Sequence, residues 1–581
     1  MINILIYSEP IIFLEQIEKN EKIIGGFSNV LLKPLSNVLE SKYKIWLICN
    51  EFQLLDEHID YDVELIRVTQ RELTNNWKYK PFELMEQWQT GLYNEEVLEY
   101  YCDLFKKKII FKPDIIFTIY SVPFLEKLFE DTLIFGHIIG IISRPPYPYT
   151  KSFAIGDLGR AFDCYTSKYW NSIKDYHQLT GTNKKMLDEF KIKSKNILEK
   201  NNPYKELLKE YRKKFKYLYL LPLTQPFHLN LARQGTYRSE FHFLLDVLDN
   251  TPDNVGIIVT THPMLLNYLD KEMISALKKR YRNFLNDPSF VKYLSASQFL
   301  LPEIDGVISL SSSVAMQAMI FDKKIIAFGQ THLDCMRDVS SFEEFALKLD
   351  MPAINKDDLL FWYLTRYCAT SKYFLNSEWL DSFLMRSLEK FKNKDFENFY
   401  ELIDEPSVIF NHLIESLDEN IPYRAKNTSE NIKENIFKLQ NNIPVQYNRE
   451  FFFNDGSFDI IFLREGFSSP EPNHIWTNQN MAEIEFPIQL PKTDIRLIIR
   501  GNVLTSLQTV EIIVNNRICG KIENGVCDMI MKSDELEGKK YLEIKLLVSQ
   551  LYSPKELGMN NDPRTLGFML YSIGLHEKML A

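Results

Sequence analysis

The sequence predicts an α/β protein with two Rossmann-like domains in tandem, followed by a helical connector and a C-terminal β-sandwich. Two observations predict this fold class. In the first two thirds of the chain, short apolar runs alternate with helical segments, which is typical of parallel sheets covered on both faces. From residue 450 onward the apolar runs have strand length and turn residues separate them, which is typical of a sandwich.

Length and composition are those of a multidomain globular protein. With 581 residues the chain is too long for one hydrophobic core. Its net charge of −10 argues against a general nucleic-acid binder. The seven cysteines form no CxxC pair, so neither a zinc site nor a disulfide framework is expected. The amino terminus lacks signal-peptide features and the sequence has no run of 18 apolar residues, so we expect a cytoplasmic protein.

The first α/β domain is predicted from apolar runs that alternate with helical material. The run at residues 2–7 has the pattern of a buried parallel strand. The predicted strands are residues 2–7, 45–49, 63–68, 115–119 and 132–142, and the predicted helix is 94–108.

A basic segment follows this domain. Residues 184–216 are helical in character and hold twelve Lys or Arg against five Asp or Glu. A solvated helix face explains such a run. In an acidic protein it also suits a peripheral contact with anionic lipid headgroups. Both interpretations stay open at this point.

The second α/β domain and the sandwich are predicted from the same kinds of pattern. The predicted strands are 217–223, 255–259, 290–293, 307–310 and 324–328, with a helix at 239–248, and in the sandwich 459–463, 482–488, 495–500, 509–514 and 541–548. An aromatic-rich helical stretch at 357–391 is expected to pack back across both α/β domains. The predicted domains are 1–183, a basic helical linker at 184–216, 217–395, a helical connector at 396–445, and 446–581.

Two polar signals mark a candidate site in the second domain. Ser311, Ser312 and Ser313 stand between a predicted strand and a predicted helix at 314–321. Unpaired backbone N–H groups at a helix start suit a phosphate, although a serine there is also an ordinary N-cap. The second signal, Thr261 with His262, follows the strand at 255–259. Ligands of open α/β sheets bind beyond the carboxyl ends of the strands, so both signals are expected to face one crevice.

These motifs carry a family resemblance. With LYLLPLTQ at 218–225, TTHP at 260–263 and DGVISLSSSVAMQAM at 305–319, the chain resembles GT-B glycosyltransferases of bacterial capsule polysaccharide biosynthesis. Among these it is most similar to the capsular Kdo-transferase-like family, which uses CMP-activated sugars. Bacterial sialyltransferases with an HP motif and a serine motif are also similar. The match lies chiefly in residues 217–330, and the C-terminal domain resembles an accessory β-sandwich found beside glycan enzymes.

The resemblance implies a function and partners. We expect a metal-independent, inverting GT-B glycosyltransferase that needs no cofactor. It would transfer a sugar from a nucleotide-activated donor, with a CMP-sugar favoured, to a glycan or glycolipid acceptor of a capsular or cell-surface polysaccharide. The N-terminal domain would bind the acceptor and the 217–395 domain the nucleotide-sugar. A peripheral contact with the inner face of the cytoplasmic membrane, or with other capsule-synthesis proteins, is compatible with this role.

The resemblance also assigns residues. Donor phosphate or nucleotide binding falls to Ser311, Ser312, Ser313, Gln317, Thr261 and Gln225. His262 would donate a hydrogen bond or a proton to the departing phosphate, although a structural hydrogen bond also explains a histidine after a strand. The chain departs from the family pattern twice: Thr260 stands where relatives carry a lysine, and Gln317 where they carry a glutamate toward the ribose.

An inverting transferase needs a base for the acceptor hydroxyl. Glu9, at the end of the first predicted strand, has a suitable place, and His137, Asp157 and Asp163 are its rivals. Arg144, in the loop Ser143–Pro148, would bind an acidic sugar of the acceptor or cap the sheet.

Other functions fit the same patterns. One is a transferase of the same fold that moves a heptose, a furanose or a phosphorus-containing substituent onto the capsule. The other is a non-catalytic glycan-binding protein that acts through its sandwich. In the sandwich, Trp476, Asp562 and Arg564 fit a sugar-binding face, and a structural turn and core explain them equally well.

Overall fold

A computed structural model describes most of the chain between residues 1 and 578. Outside the description lie chiefly residues 9–41, 51–62, 74–83, 156–163, 175–178, 224–236, 262–268, 420–444 and 455–458, together with shorter gaps. Within the described ranges, no helix is both long enough and apolar enough to cross a membrane.

The N-terminal α/β lobe is built on a sheet of seven strands. Six of them come from the first 155 residues: β1 (Ile2–Tyr7), β2 (Tyr43–Asn50), β3 (Glu64–Val68), β4 (Ile115–Thr118), β5 (Leu133–Ile139) and β6 (Thr150–Ile155). The order β3-β2-β1-β4-β5 is parallel throughout, and β6 continues the sheet antiparallel to β5. The five predicted strands are therefore confirmed, and β6 is an addition that the sequence did not predict.

The C-terminal α/β lobe repeats this order. Its five strands are β7 (Tyr217–Pro222), β8 (Val255–Thr260), β9 (Phe284–Leu285), β10 (Gly306–Ser309) and β11 (Lys324–Ala327). They run parallel in the order β9-β8-β7-β10-β11. The predicted strand at 290–293 is wrong, because Pro288–Lys292 forms a 3₁₀ helix that begins with a proline and has Asp287 as its N-cap. The third strand of the lobe is β9 instead.

The chain then returns to the first lobe. A two-residue strand, β12 (Ala369–Thr370), pairs antiparallel with β6 and becomes the edge of the N-terminal sheet. Further along, Asp381 accepts a hydrogen bond from Tyr43, the first residue of β2. The expectation that residues 357–391 pack across both lobes is confirmed. They are not one helix, however, since the segment consists of Asp357–Trp362, a π-helical turn Tyr363–Tyr367, β12, Ser371–Phe374 and Ser377–Lys392.

Helices cover the sheets of both lobes. Helix Glu95–Lys108 shows why such segments form: Asn94 caps its first turn by accepting from the Glu96 N–H at 2.8 Å, two glutamates begin it and three lysines end it. The other described α-helices before the closing segment, which is residues 357–391, are Pro123–Leu128, Tyr165–Ile173, Gly181–Lys200, Lys205–Arg212, Glu240–Asn250, Lys271–Arg280, Ala296–Leu300, Ser313–Gln317 and Phe342–Leu347.

Alternate residues of the central strands face two different cores. In β1, Ile4 and Ile6 join a core that both lobes share, whereas Leu5 and Tyr7 face an outer core of the first lobe. In β7, Leu218 likewise faces the shared core, and Tyr219 faces an outer core of the second lobe. Because both faces of these strands are buried, the residues on both faces are apolar, and the strands appear in the sequence as continuous apolar runs.

Most of the basic segment 184–216 lies in the helices Gly181–Lys200 and Lys205–Arg212, and residues 213–216 follow the second helix. Its charges are largely matched by carboxylates. Eight of its twelve basic residues form ion pairs: Lys184, Lys191, Lys195, Lys200, Lys209, Arg212, Lys213 and Lys216. These pairs favour the solvated and structural interpretation of the segment. Contact with a membrane surface stays a prediction.

The C-terminal part folds as two antiparallel sheets around a separate core. The core comprises only residues between 445 and 575. One sheet has β13 (Arg449–Phe452), β14 (Ile475–Trp476), β16 (Ile495–Val503), β19 (Val526–Met531) and β21 (Phe568–Glu577). The other has β15 (Met481–Pro487), β17 (Val510–Val514), β18 (Arg517–Lys521) and β20 (Tyr541–Val548). This is the predicted β-sandwich.

Of the five sandwich strands that the sequence predicts, four are confirmed. The one predicted at 459–463 lies partly outside the described residues, and of its described part only Leu463 pairs, in an isolated bridge to Ile484. The connector helix is Pro406–Glu415.

Candidate functional site

Both α/β sheets have a topological switch point. In the first sheet β1 lies between β2 and β4, so the chain adds strands first on one side of β1 and then on the other. In the second sheet β7 lies between β8 and β10 in the same way. Ligands of open α/β sheets bind outside the carboxyl ends of the strands at such a point. The candidate site is therefore the edge formed by the ends of β10, β7 and β8.

The strands that carry the two polar signals end at the same level. Thr260 of β8 pairs with Pro222 of β7, and the β7–β10 register of Leu220 with Val307 brings Ser309 to that same level. Because β7 alone separates β8 from β10, the two strand ends are about 10 Å apart, twice the usual strand spacing. The sequence-based expectation that both signals lie at one edge is consistent with this register.

Ser312 is the N-cap of the helix that follows β10. Its hydroxyl accepts from the Val314 N–H at 3.3 Å, and its own N–H donates to the Ser309 hydroxyl at 2.8 Å. The interpretation of one serine as an ordinary cap therefore holds for Ser312. Ser311 is buried, and Ser313 is half-buried at the first position of the helix.

The helix itself is shorter than predicted. The expected segment 314–321 is an α-helix only over Ser313–Gln317 and continues as the 3₁₀ helix Ala318–Phe321, which ends at Asp322 with φ of 53°. Fewer aligned peptide units mean a smaller macrodipole. Any phosphate binding at this turn depends more on individual N–H and hydroxyl donors than on the helix as a whole.

Gln317 makes a contact between the lobes. Its side chain is fully buried; it accepts from Gln298 Nε2 at 3.0 Å and donates to the backbone oxygen of Ile141 at 3.1 Å. Ile141 follows β5 in the N-terminal lobe. Both ends of the amide are thus engaged in a contact between the lobes, and the contact of Gln317 with a ribose stays a prediction.

On β8, Thr260 is buried and its hydroxyl lies 3.0 Å from the Ser297 hydroxyl, while Thr261 is half-buried directly after the strand. Several predicted site residues lie outside the described residues: His262, Gln225, Glu9, Asp157, Asp163 and the side chain of His137. The last described residue before Glu9 is Ser8, whose N–H and hydroxyl donate to Ile48 O.

Arg144 lies in the loop that joins β5 to β6. Burial lowers the pKa of its guanidinium, which nevertheless stays charged at neutral pH. The loop begins where the Gly140 N–H donates to Thr150 O at 2.9 Å. A Cβ at Gly140 would lie 2.1 Å from the Thr150 hydroxyl oxygen, so glycine is required for this close approach. The loop is therefore held tightly at its base, next to the Ile141 contact with Gln317.

Residues after β11 adjoin the serine turn, and sequence reasoning missed them. Thr331 donates to the backbone oxygen of Leu310 at 2.7 Å, next to Ser311. Arg337, further along the loop, pairs with Asp334 at 3.0 Å and donates to Gly329 O. A cavity of about 530 Å³ opens beside Arg337, and Trp170, Lys174 and Thr180 also line it. The sequence shows only a single arginine in a loop at this place, and no local pattern predicts the cavity.

The predicted sugar-binding residues of the sandwich have structural contacts. Trp476 is buried, and Arg564 pairs with both Asp562 and Glu471 at 2.6 and 2.8 Å. These contacts fit the interpretation of the three residues as parts of a structural turn and core.

Comparison with known proteins finds a match to one family model in the central part of the chain. Residues 170–336 match the model of a family described as capsule polysaccharide biosynthesis protein. No curated protein matches the chain significantly.

The solved structures that match the chain include two of KpsC from Thermosulfurimonas dismutans. The β-Kdo 2,7-transferase is 13% identical over 52% of this chain and 98% of its own length, with a TM-score of 0.29. The β-Kdo 2,4-transferase is 12% identical over 45% of this chain and 87% of its own length, with a TM-score of 0.30. A UDP-GlcNAc 2-epimerase from Neisseria meningitidis covers 72% of this chain and all of its own length at 11% identity, with a TM-score of 0.20. These TM-scores are low, so the description of the fold depends on the chain's own sheets.

Proposed function

We propose that this chain, which carries a domain of the capsule polysaccharide biosynthesis family over residues 170–336, is a GT-B glycosyltransferase. It would transfer a sugar from a nucleotide-activated donor, in our proposal a CMP-sugar, to a capsular or cell-surface glycan. The reaction we propose is inverting and needs no metal.

One observation carries the proposal: hydroxyl-bearing strand ends flank β7 at the switch point of the second sheet. Ser311 and Ser313 follow β10, and Thr261 follows β8 at the same level. Loss of a nucleotide puts negative charge on the departing phosphate, and donors fixed near that phosphate stabilise the transition state. Hydroxyl and backbone N–H donors at one strand edge suit that task.

The described contacts refine the roles of the serines. The Ser312 N–H and hydroxyl are already used within the turn. Ser313, half-buried at the helix start, is the serine that we assign to the donor phosphate. His262 and Gln225, which follow β8 and β7 in the sequence, would complete the donor site.

We assign the acceptor to the opposite lobe. There Glu9 follows β1, one of the two switch-point strands of the first sheet. A carboxylate at this place can take the proton of the acceptor hydroxyl as the sugar is transferred. Arg144 belongs to the same lobe, on the loop whose residue Ile141 touches Gln317.

A thermal-shift screen with CMP, UDP, GDP and ADP tests the proposal. A nucleotide at 100 times its Kd adds about 2.7 kcal/mol to the free energy of unfolding. We expect the largest rise in Tm with CMP. A larger rise with another nucleotide would favour the related transferases that move a heptose, a furanose or a phosphorus-containing group, and no rise with any nucleotide would contradict the proposal.

Two serine variants sharpen this test. Ser313→Ala should reduce the rise in Tm that the nucleotide produces and leave the free protein nearly unchanged, because the described residues give the Ser313 hydroxyl no hydrogen-bond partner. Ser312→Ala is the matched control, since loss of the cap should cost about 1 kcal/mol of stability. Equal nucleotide responses in the two variants would remove Ser313 from the donor site.

One observation favours glycan binding by the sandwich as a second role of the protein. A depression of about 490 Å³ is lined by the carboxylates Glu465 and Glu483, three consecutive amides and two apolar side chains. Carboxylate and amide groups beside apolar surface suit sugar hydroxyls. Glycan binding that persists in a His262→Ala variant and disappears in a Glu483→Ala variant would support it.

A further inference from the structure

Lys151, the second residue of β6, is a buried lysine with an unusual environment. Only 7% of its surface is exposed. Its ammonium lies 4.9 Å from the ring centroid of Tyr149, an exposed side chain two residues earlier. The group is therefore withdrawn from water and yet lies directly beneath a residue of the surface.

Among the described residues, no carboxylate or other hydrogen-bond acceptor pairs with this ammonium. Burial alone lowers the pKa of Lys151, to about 8, and no neighbouring charge offsets it. At neutral pH the group still carries most of its positive charge. A buried ammonium without a partner is costly, and buried charges in proteins are ordinarily paired.

The other buried lysines of the described chain show the ordinary pattern. Lys191 pairs with Asp357 at 2.8 Å, and Lys356 pairs with Asp338 at 2.7 Å. Lys324 donates to two backbone oxygens, at 2.5 and 2.6 Å. Among the buried lysines that the structure describes, Lys151 is the one whose ammonium has an aromatic ring beside it and no described hydrogen-bond acceptor. An anionic ligand would supply the missing acceptor.

The position of Lys151 indicates where such a ligand would bind. Strand β6 runs antiparallel to β5, so its first residues lie at the carboxyl end of β5, and Lys151 is level with Ile139. The loop between these strands carries Arg144, and its residue Ile141 contacts Gln317, in the helix that follows the serine turn. Lys151 thus lies at the edge of the N-terminal lobe that faces the proposed donor site.

We propose that Lys151, with Arg144 on the loop before β6 adding positive charge, forms a subsite for a carboxylate or phosphate group of the acceptor glycan. The acceptor is then an acidic saccharide. The inference rests on the proposed function, since it identifies the class of acceptor for that reaction. It requires that an anion, by pairing with the ammonium, stabilises the protein.

The experiment compares Lys151→Met with Lys356→Met in thermal-shift assays at constant ionic strength. The probes are sodium glucuronate, glucose 6-phosphate and neutral glucose, with CMP in a separate arm. In the wild type we expect a rise in Tm with one or both acidic sugars, which identifies the anion, and none with glucose. Lys151→Met should raise the Tm of the free protein, because it removes an unpaired buried charge, and should abolish the response to the acidic sugar.

Lys356→Met is the matched control. It should lower the Tm, because Asp338 loses its partner, and the response to the acidic sugar should remain. A second measurement uses the wild type alone: bound glucuronate or glucose 6-phosphate should slow reductive methylation of Lys151, followed by peptide mass spectrometry.

Two results would overturn the inference: no response of the wild type to either acidic sugar, or an unchanged response in Lys151→Met. The CMP arm separates this failure from failure of the proposed function. A CMP response without a response to acidic sugar leaves the transferase standing and removes the subsite. A response to acidic sugar without any nucleotide response keeps the anion site and removes the transferase.

Discussion

At the scale of single residues, the candidate site is a set of polar groups that strand ends hold in place. The Ser312 cap and the Thr331 bond to Leu310 O fix the turn after β10 from two sides. Gln317 fixes its helix to the opposite lobe. The groups that we assign to the donor, Ser313 and Thr261, are half-buried beside these fixed contacts. Held in this way, a donor can meet a phosphate without first being ordered.

His262 is the residue with the largest predicted effect on catalysis. We predict that His262→Ala lowers the turnover number by about 10²-fold or more, as the loss of one transition-state donor does. Steady-state assays with the donor that the nucleotide screen identifies would measure it. His242→Ala is the control, because His242 is an exposed residue of the helix Glu240–Asn250. A turnover number unchanged in His262→Ala would exclude His262 from the site.

At the scale of elements, helix Gly181–Lys200 braces the α/β part of the molecule. Its Lys184 and Lys191 both hydrogen-bond Asp357, the first residue of the helix Asp357–Trp362, and Lys191 also pairs with Asp322 at the end of the turn that follows the serine helix. Its apolar residues Leu187, Phe190 and Leu198 belong to the core that both lobes share. The brace thus joins the closing segment to the candidate site.

We predict that Asp357→Asn lowers the free energy of unfolding by about 3 kcal/mol, because it leaves the buried Lys191 ammonium with one partner fewer. Burial raises the pKa of Asp357, but hydrogen bonds from Lys184 and Lys191 outweigh burial, and the net pKa is lowered. The ionised Asp357 therefore contributes to the free energy of unfolding above the ordinary aspartate pKa, near 3.9, and this contribution is lost as the pH falls below that value.

Urea unfolding of both proteins at several pH values would measure this dependence. The control is Asp188→Asn, since Asp188 is a half-exposed partner of Lys184 and its loss should change stability by less than about 1 kcal/mol. The difference in free energy of unfolding between wild type and Asp357→Asn should shrink in acid. If it stays constant down to the most acidic pH at which both proteins fold, the stabilisation by the charge of Asp357 is contradicted.

At the scale of the whole molecule, the two α/β lobes form one unit and the sandwich another. The lobes share a core, and β12, which comes after the second lobe, completes the sheet of the first. The sandwich core comprises only residues between 445 and 575. Stability of the lobes should therefore depend on the closing segment and not on the sandwich.

We predict that a chain ending at Glu419 folds and keeps the nucleotide response in the thermal-shift screen. A chain ending at Lys356 should fail to fold, because it lacks β12 and the buried side chains of Trp362 and Tyr400. Circular dichroism and size-exclusion chromatography would compare the two. An insoluble chain ending at Glu419 would contradict the independence of the sandwich.

Much of the fold was predictable because buried parallel strands leave a local signal. The runs at β1, β7 and β8 are apolar on both faces, so length and composition were enough to place them to within a residue or two. Strand β6, TKSFAI, mixes polar and apolar residues and escaped prediction. Its polar side chains make specific contacts, such as Ser152 with Cys368 at 3.3 Å, that no local pattern reveals.

The sequence by itself determined the fold class and the polar signals at the ends of β8 and β10, since apolar period and residue type are local properties. Only the tertiary structure decided that both strands flank β7 at one level, that Gln317 joins the lobes, and that the ammonium of Lys151 has no hydrogen-bond acceptor among the residues described. Register, contact between lobes and burial of a charge depend on segments far apart in the chain, and a local pattern carries no information about them.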